Sequence, residues 1–353
     1  MNEKLNIGLI GFGMAGQIFH APVIACVEGL NLKAIQTSNK ENIEIARRKY
    51  PDAEIIGNTS ALLNREDIDL IVVATPNYTH FELAKDALLA NKHVIVDKPV
   101  TAKFSEAAEL IKLAESRNKI LTVHQNRRWD SDFLTVQKVL KSNLLGRLVE
   151  MEIHYDRFRN TLRENTWKEE NLDGTGILYD LGSHLIDQAQ TLFGLPQSIT
   201  ADIRTQRKDS KIVDNFELIL DYKDLKVTLK GGMLVREPLP RYILLGEQGS
   251  FVKYGLDVQE EDLKIGKTPL NTINWGIEPR NIWGKINTEF NGVHFVGEVE
   301  SEAGNYCVYY ENVRDAIWGN AGLAVTATQA ANTIKIIELA MQSHAEKRTV
   351  EFN

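Results

Sequence analysis

The segment Gly11-Phe12-Gly13-Met14-Ala15-Gly16 follows a run with strand character and opens a helical pattern. In that context a G-x-G-x-x-G spacing reads as a dinucleotide-binding turn. Gly11 allows the tight turn, Gly13 lets the backbone approach a pyrophosphate, and Gly16 lets helix and strand pack closely. The phosphates then rest on amides at a helix N-terminus. An acidic residue about 20 positions on usually binds the adenosine ribose hydroxyls. Here the second strand instead ends in Gln36-Thr37-Ser38-Asn39-Lys40. Ser38, Asn39 and Lys40 offer a hydroxyl, an amide and a cation where a carboxylate would repel a 2′-phosphate, so NADP is expected in preference to NAD. The other reading of Lys40 is a solvated turn lysine.

Two further segments fall at carboxyl ends of strands, where open α/β sheets bind their ligands. Thr75, Pro76, Asn77 and His80 follow the fourth strand, and Asp97-Lys98-Pro99 follows the fifth; both are expected to border the nicotinamide end of a cofactor. A strand-end lysine is commonly a solvated surface residue, but Pro99 fixes the chain direction and restricts Lys98 to extended geometry. In a third segment, Gly174 to Asp187, Asp180 and His184 are four apart and share a helix face. The alternative for that pair is a local surface contact. Gly182 inside the helical pattern costs about 1 kcal/mol against Ala, which points to close approach of something to the backbone. No third ligand stands at a recognisable spacing from the pair, so no metal is expected.

The elements that must position these residues follow from periodicity. Short apolar runs at 6–10, 32–37, 53–56, 70–74, 93–96 and 120–123 alternate with helical stretches at 15–27, 41–49, 60–64, 78–90 and 105–116. Such alternation predicts a doubly wound parallel sheet with crossover helices. After a helix at 132–141 the pattern changes to one wet face, as in 149–155, and recurs at 198–204, 215–221, 226–230, 241–245 and 251–254. The fold class is therefore α/β: an N-terminal Rossmann domain, 1–123, and a C-terminal α+β domain, 124–353, with a large, mostly antiparallel, open-faced sheet. Helices are expected at 176–193, 311–317 and 323–341, and 257–296 reads as a long ordered loop.

Composition narrows the partners. Lys plus Arg number 41 against 48 Asp plus Glu, a net charge of −7, which gives no attraction to nucleic acid or an anionic membrane. Cys26 and Cys307 are too few and too far apart in sequence for a disulfide framework or a cysteine zinc site, as in a reducing compartment. No apolar run approaches the roughly 20 residues of a membrane span, and a cytoplasmic location is expected. The exposed sheet face suggests a homodimer or homotetramer.

Together the glycine turn, Asp97-Lys98-Pro99 and the Asp180/His184 helix resemble, over essentially the whole chain, the glucose-fructose oxidoreductase, inositol dehydrogenase and MocA family. The runs Gln125-Asn126-Arg127-Arg128-Trp129 and Ile177 to His184 are most similar to the NADP-dependent scyllo-inositol dehydrogenase-like bacterial branch. Asp97 departs from the family's usual Glu by one methylene. The resemblance implies hydride transfer between the nicotinamide and a secondary alcohol of a polyol or sugar, with Lys98, Asp180 and His184 as catalytic residues and Asp97 and Gln125 beside the cofactor. An imidazole, ordinarily near pKa 6.5, suits the base role at neutral pH, which assigns His184 as base. An ammonium, ordinarily near 10.4, better donates to the substrate oxygen, which assigns Lys98 as donor unless the cationic nicotinamide exchanges the two roles. Asp180 orients them and holds a neighbouring hydroxyl. Polyol specificity needs converging polar side chains, for which Asn126, Arg127, Tyr155, Arg157 and Trp167 are the candidates. Two other readings stay open: a cofactor-sensing regulator without turnover, and an aldose-ketose oxidoreductase that retains its cofactor.

Overall fold

The structure, a computed structural model, describes residues 3–164 and 166–353. Along the chain, β1 (Leu5–Ile10) leads through the glycine turn into a π-helical turn, Gly16–His20, and α1 (Ala21–Ile24). There follow β2 (Leu30–Gln36), α2 (Lys40–Lys49), β3 (Glu54–Ile56), α3 (Thr59–Leu63), β4 (Leu70–Val73), α4 (His80–Leu89), β5 (His93–Asp97), α5 (Phe104–Ser116) and β6 (Leu121–His124). The six strands form one parallel sheet in the order β3-β2-β1-β4-β5-β6, with the reversal of strand order between β1 and β4. β4 is Leu-Ile-Val-Val and buried throughout, as a strand covered on both faces must be. Ile10, Ile71, Val73, Val94 and Val96 from the sheet pack with Leu62, Leu88 and Leu110 from α3, α4 and α5 in one apolar cluster.

The chain continues through α6 (Ser131–Lys141), β7 (Leu148–His154), a π-helical turn at Leu178–Gly182, α7 (Ser183–Phe193), β8 (Ser198–Arg204), β9 (Asn215–Asp221), β10 (Lys226–Gly232), β11 (Tyr242–Gly246), β12 (Gly249–Lys253) and α8 (Gln259–Lys264). It ends with β13 (Gly284–Phe290), β14 (Val293–Val299), α9 (Cys307–Ile317), α10 (Ala327–Glu346) and β15 (Val350–Glu351). A nine-stranded sheet takes the order β14-β13-β12-β11-β7-β10-β9-β8-β15. Its pairs are antiparallel apart from β7 with β10. Strands such as β9 alternate buried Phe216, Leu218 and Leu220 with more accessible positions. Two compact units result: the chain through Asn126 with Gln259–Trp275 and Tyr306–Ala331, and Arg127–Val258 with Gly276–Asn305 and Asn332–Asn353. No helix among the described residues is long and apolar enough to cross a membrane.

Three local expectations are corrected. The stretch 257–296 is not a loop: it contains α8, β13 and most of β14. β13 buries only Gly284, Ile286 and Thr288, and β14 is largely exposed, so neither carries an apolar alternation. The turn between them, Asn291-Gly292 with φ of 51° and 76°, is the local hairpin signal. The helix expected at 15–27 is π-helical over Gly16–His20 and ends at Ile24, and the helix expected at 176–193 begins as a π turn before α7. Apolar spacing does not distinguish these turns from an α-helix.

In the second unit, β7 carries His154, whose Nε2 lies 3.0 Å from Glu152 and Nδ1 3.3 Å from Asp156. Burial opposes its cationic form, but the hydrogen bonds to Asp156 and Glu152 outweigh burial and raise its pKa above the ordinary value. A raised folded-state pKa means stabilisation that is complete below the unfolded value, about 6.5, and lost as pH rises through the folded value. Denaturant titrations of wild type and His154→Gln should differ most on the acid side of that window and converge on the alkaline side. A difference that grows with pH would reverse the assignment.

Candidate functional site

In the first unit, each glycine of the turn after β1 has its own physical reason. Gly11 has φ +92°, and a Cβ there would lie 2.5 Å from the Ala74 carbonyl oxygen. At Gly16 a Cβ would lie 2.3 Å from the carbonyl oxygen of Gly11. Around the Cβ position of Gly13 there is no heavy atom within 4 Å. The turn is therefore closed by backbone contact at its two ends and open in the middle, beside the first amides of a helix. A pyrophosphate requires that combination, so the residues present fit a dinucleotide. Gln17 fastens the turn laterally: its Nε2 donates to the Phe12 carbonyl at 2.8 Å and to Asn42 Oδ1 at 2.9 Å. Met14, by contrast, is exposed.

At the end of β2, Ser38, Asn39 and Lys40 are exposed. Asn39 also caps α2, its Oδ1 accepting from the Asn42 amide at 3.1 Å. At the end of β4, the Thr75 and Thr79 hydroxyls meet at 2.6 Å, and that of Thr79 lies 2.7 Å from the Pro76 carbonyl oxygen. His80 is fully buried with Nδ1 2.7 Å from the Pro99 carbonyl oxygen and Nε2 2.9 Å from that of Thr75. Its ring thus braces the turn after β4 against the turn after β5, and its nitrogens face main chain. The Lys98-Pro99 peptide is cis. Asp97 Oδ1 accepts from the Lys98 amide at 2.8 Å. Burial would push the Asp97 carboxyl up, but His20 foremost, then His124 and Lys98, outweigh it and hold it well below the usual carboxylate range. Gln125 and Asn126, just past β6, are buried.

In the second unit, Asp180 lies in the π turn and His184 in the first turn of α7. The close approach anticipated at Gly182 is real: a Cβ there would be 3.0 Å from Leu178 and 3.4 Å from the Phe216 ring. Single π turns of this kind are frequent at functional sites. α7 is fixed by Arg128, which clasps Asp187 with two hydrogen bonds of 2.8 and 2.7 Å, all of it buried. Removing one partner of such a pair strands a buried charge, so the clasp holds α7 in one place. Lys168 Nζ lies 3.7 Å from Asp180 Oδ1 and 5.6 Å from the Trp167 ring. Trp167 is thereby brought to the same locality as Asp180. That loop is pinned by buried Arg207, which bonds Glu169 and Asp214 at 2.9 Å each.

The remaining polyol candidates have structural partners as well. Tyr155 is buried, with the guanidinium groups of Arg127, Arg157 and Arg241 at 5.0, 5.3 and 4.6 Å from its ring. Arg127 also donates to Asp130 at 3.1 Å. His20, His124, Arg128, Lys168 and Arg241 were not singled out by type and spacing. His124 was accessible to the strand-end rule used for Asp97; the others depend on pairings between distant segments.

Residues 5–125 match the model for an oxidoreductase family's NAD-binding Rossmann fold, and residues 137–352 match that family's C-terminal alpha/beta domain. The uncharacterized oxidoreductase YdgJ of Escherichia coli is 43% identical over 99% of both chains. The scyllo-inositol 2-dehydrogenase (NADP(+)) IolW of Bacillus subtilis is 37% identical over 99% of this chain and 96% of that protein. Among solved structures, the putative oxidoreductase yvaA of Bacillus subtilis superposes with a TM-score of 0.95 at 36% identity, covering 99% of each chain.

The glycine geometry separates folding from binding. Gly13→Ala should leave the thermal midpoint within about 2 °C while weakening dinucleotide binding by about tenfold or more, or about 1.4 kcal/mol. Gly16→Ala, whose new methyl meets backbone, should lose about 1–3 kcal/mol of stability. Calorimetric melting with fluorescence titration of the nucleotide checks both, and normal binding to Gly13→Ala would remove the turn from the site.

Proposed function

The chain belongs to the glucose-fructose oxidoreductase, inositol dehydrogenase and MocA family of oxidoreductases, and from that premise we propose that it is an NADP-dependent dehydrogenase acting on a secondary alcohol of a polyol or sugar. The observation that carries this reading is the alignment, along one side of the parallel sheet, of the open glycine turn, the His80-braced turns and Asp97-Lys98. The nicotinamide of a bound cofactor supplies a hydride acceptor. The chain's own residues have the remaining work: to bind the alcohol, remove its proton and exclude water.

His184 takes the hydroxyl proton as general base, Lys98 donates to the same oxygen and stabilises alkoxide charge, and Asp180 holds a neighbouring hydroxyl. The clasp on α7 supports the role of His184, because a base must keep a fixed position. The salt bridge to Lys168 supports that of Asp180, because it favours one direction of the carboxylate. Trp167, held beside Lys168, is the apolar wall of the polyol site, with Asn126, Arg127, Tyr155 and Arg157 supplying polar contacts or their support. For the cofactor, exposed Ser38, Asn39 and Lys40 with no carboxylate among them favour a 2′-phosphate, and the similarity to a relative named for NADP(+) supports the same choice. Exposed Phe290, Val293, Phe295 and Val296 on the β13–β14 hairpin support assembly with further copies through the second unit's sheet.

Incubation with NADP and a panel of inositols and aldoses should produce reduced-nicotinamide absorbance with at least one polyol, at a lower KM for NADP than for NAD. Lys98→Ala and His184→Ala should each lower kcat by about 10²–10⁴ with nucleotide titration unchanged. Wild-type turnover in either variant would strike that residue from the mechanism, and an NAD preference would reject the role given to Lys40.

A further inference from the structure

His20, Asp97 and His124 lie together within the first unit, on three different elements: the π turn after the glycine turn and the ends of β5 and β6. Asp97 and His124 are direct partners in the sheet register. One potential ligand atom from each lies within 4.8 Å of the other two, the one such group of three among the described residues. Both imidazoles are at most 1% exposed, while the Asp97 side chain keeps 18%. We infer that these three side chains form a binding site for one divalent transition-metal ion of the zinc class.

The spacing is the first support. His20 Nε2 and His124 Nδ1 each stand 3.9 Å from Asp97 Oδ1. A direct hydrogen bond closes to about 2.7–3.2 Å, so the carboxylate and the two rings face each other across a gap. An ion with bonds of about 2.0–2.2 Å sets its tetrahedral ligands about 3.3–3.6 Å apart, a contraction that side-chain rotation supplies. Orientation is the second support. His20 Nδ1 lies 2.6 Å from the Tyr310 hydroxyl, while its Nε2 is buried with no hydrogen-bond partner. Metal-ligating histidines are held in this way, one nitrogen fixed by an outer partner and the other left to the ion. Tyr309 adds a wall, its ring edge-on to His124 at 4.9 Å.

The donor chemistry agrees with this geometry. Two imidazoles with one carboxylate suit zinc, cobalt, nickel or iron better than magnesium or calcium, which prefer all-oxygen ligands. Asp97 Oδ1 also accepts from the Lys98 amide, so an ion here engages the carboxylate that holds the Lys98 main chain. The hydride transfer proposed above does not require the ion.

The experiment is calorimetric titration of the chelator-treated full chain with Zn2+ in the absence of nucleotide, paired with the visible spectrum on adding Co2+. One ion per chain is expected, with the d–d bands of a low-symmetry N/O site. Asp97→Asn, which keeps the side-chain shape, and His124→Gln should each weaken binding at least tenfold and lose the Co2+ bands. His294→Gln, at an exposed imidazole on β14, should change neither readout. Absence of saturable Zn2+ binding to folded wild type overturns the inference whatever the variants do. Affinity unchanged in both Asp97→Asn and His124→Gln overturns it equally.

Discussion

Parallel pairing makes neighbouring strands finish on the same side of a sheet, and in the first unit that constraint assembles the chemistry. β1, β4, β5 and β6 end at Ile10, Val73, Asp97 and His124, so the glycine turn, the Thr75 turn and Lys98 emerge in a row. The row opens at β1 and β4, where strand order reverses and the crossover helices diverge to opposite faces, the place where such sheets bind ligands. Register does the finer placing. Because Ile10 pairs with Val73, and Asp97 with His124, the residues one step beyond are set by main-chain hydrogen bonds rather than by long side chains.

The second unit positions its residues differently, through buried charge. Arg128 on Asp187, Arg207 on Glu169 and Asp214, and Arg241 near Asp132 all lie in largely buried surroundings. Desolvating an arginine is costly, and the cost is offset only with partners at good geometry. These pairs therefore demand one arrangement of α7 and of the loop that carries Trp167. The π turn at Leu178–Gly182 adds a further local constraint, with Gly182 close against Leu178 and Phe216. Rigid placement of Asp180 and His184 follows from contacts that have nothing to do with substrate.

How much of this was legible depends on whether the signal was local. All six strands of the parallel sheet lie within about two residues of their expected bounds, most directly β4, which is buried throughout and so must be nearly continuous in apolar residues. The glycine turn was legible for a related reason: Gly11 and Gly16 answer to contacts made with the adjacent strand and within the strand-turn-helix unit, and Gly13 between them keeps the turn open. β13 and β14 escaped because an edge hairpin with little to bury lacks an apolar alternation, although Asn291-Gly292 marked its turn. The π turns escaped because adding one residue to a helical turn barely alters apolar spacing.

Residue type and spacing by themselves determined the two-part α/β architecture, the dinucleotide turn and the identity of Lys98, Asp180 and His184 as candidates, since burial periodicity and backbone sterics act over short stretches of chain. Tertiary structure alone decided that His80 faces main chain, that Tyr155 lies beneath three guanidinium groups, and that His20 and His124 flank Asp97. Those outcomes depend on strand order and register, which bring together residues scores of positions apart. No local pattern encodes such a meeting, because the energy that fixes it is spread over the whole sheet.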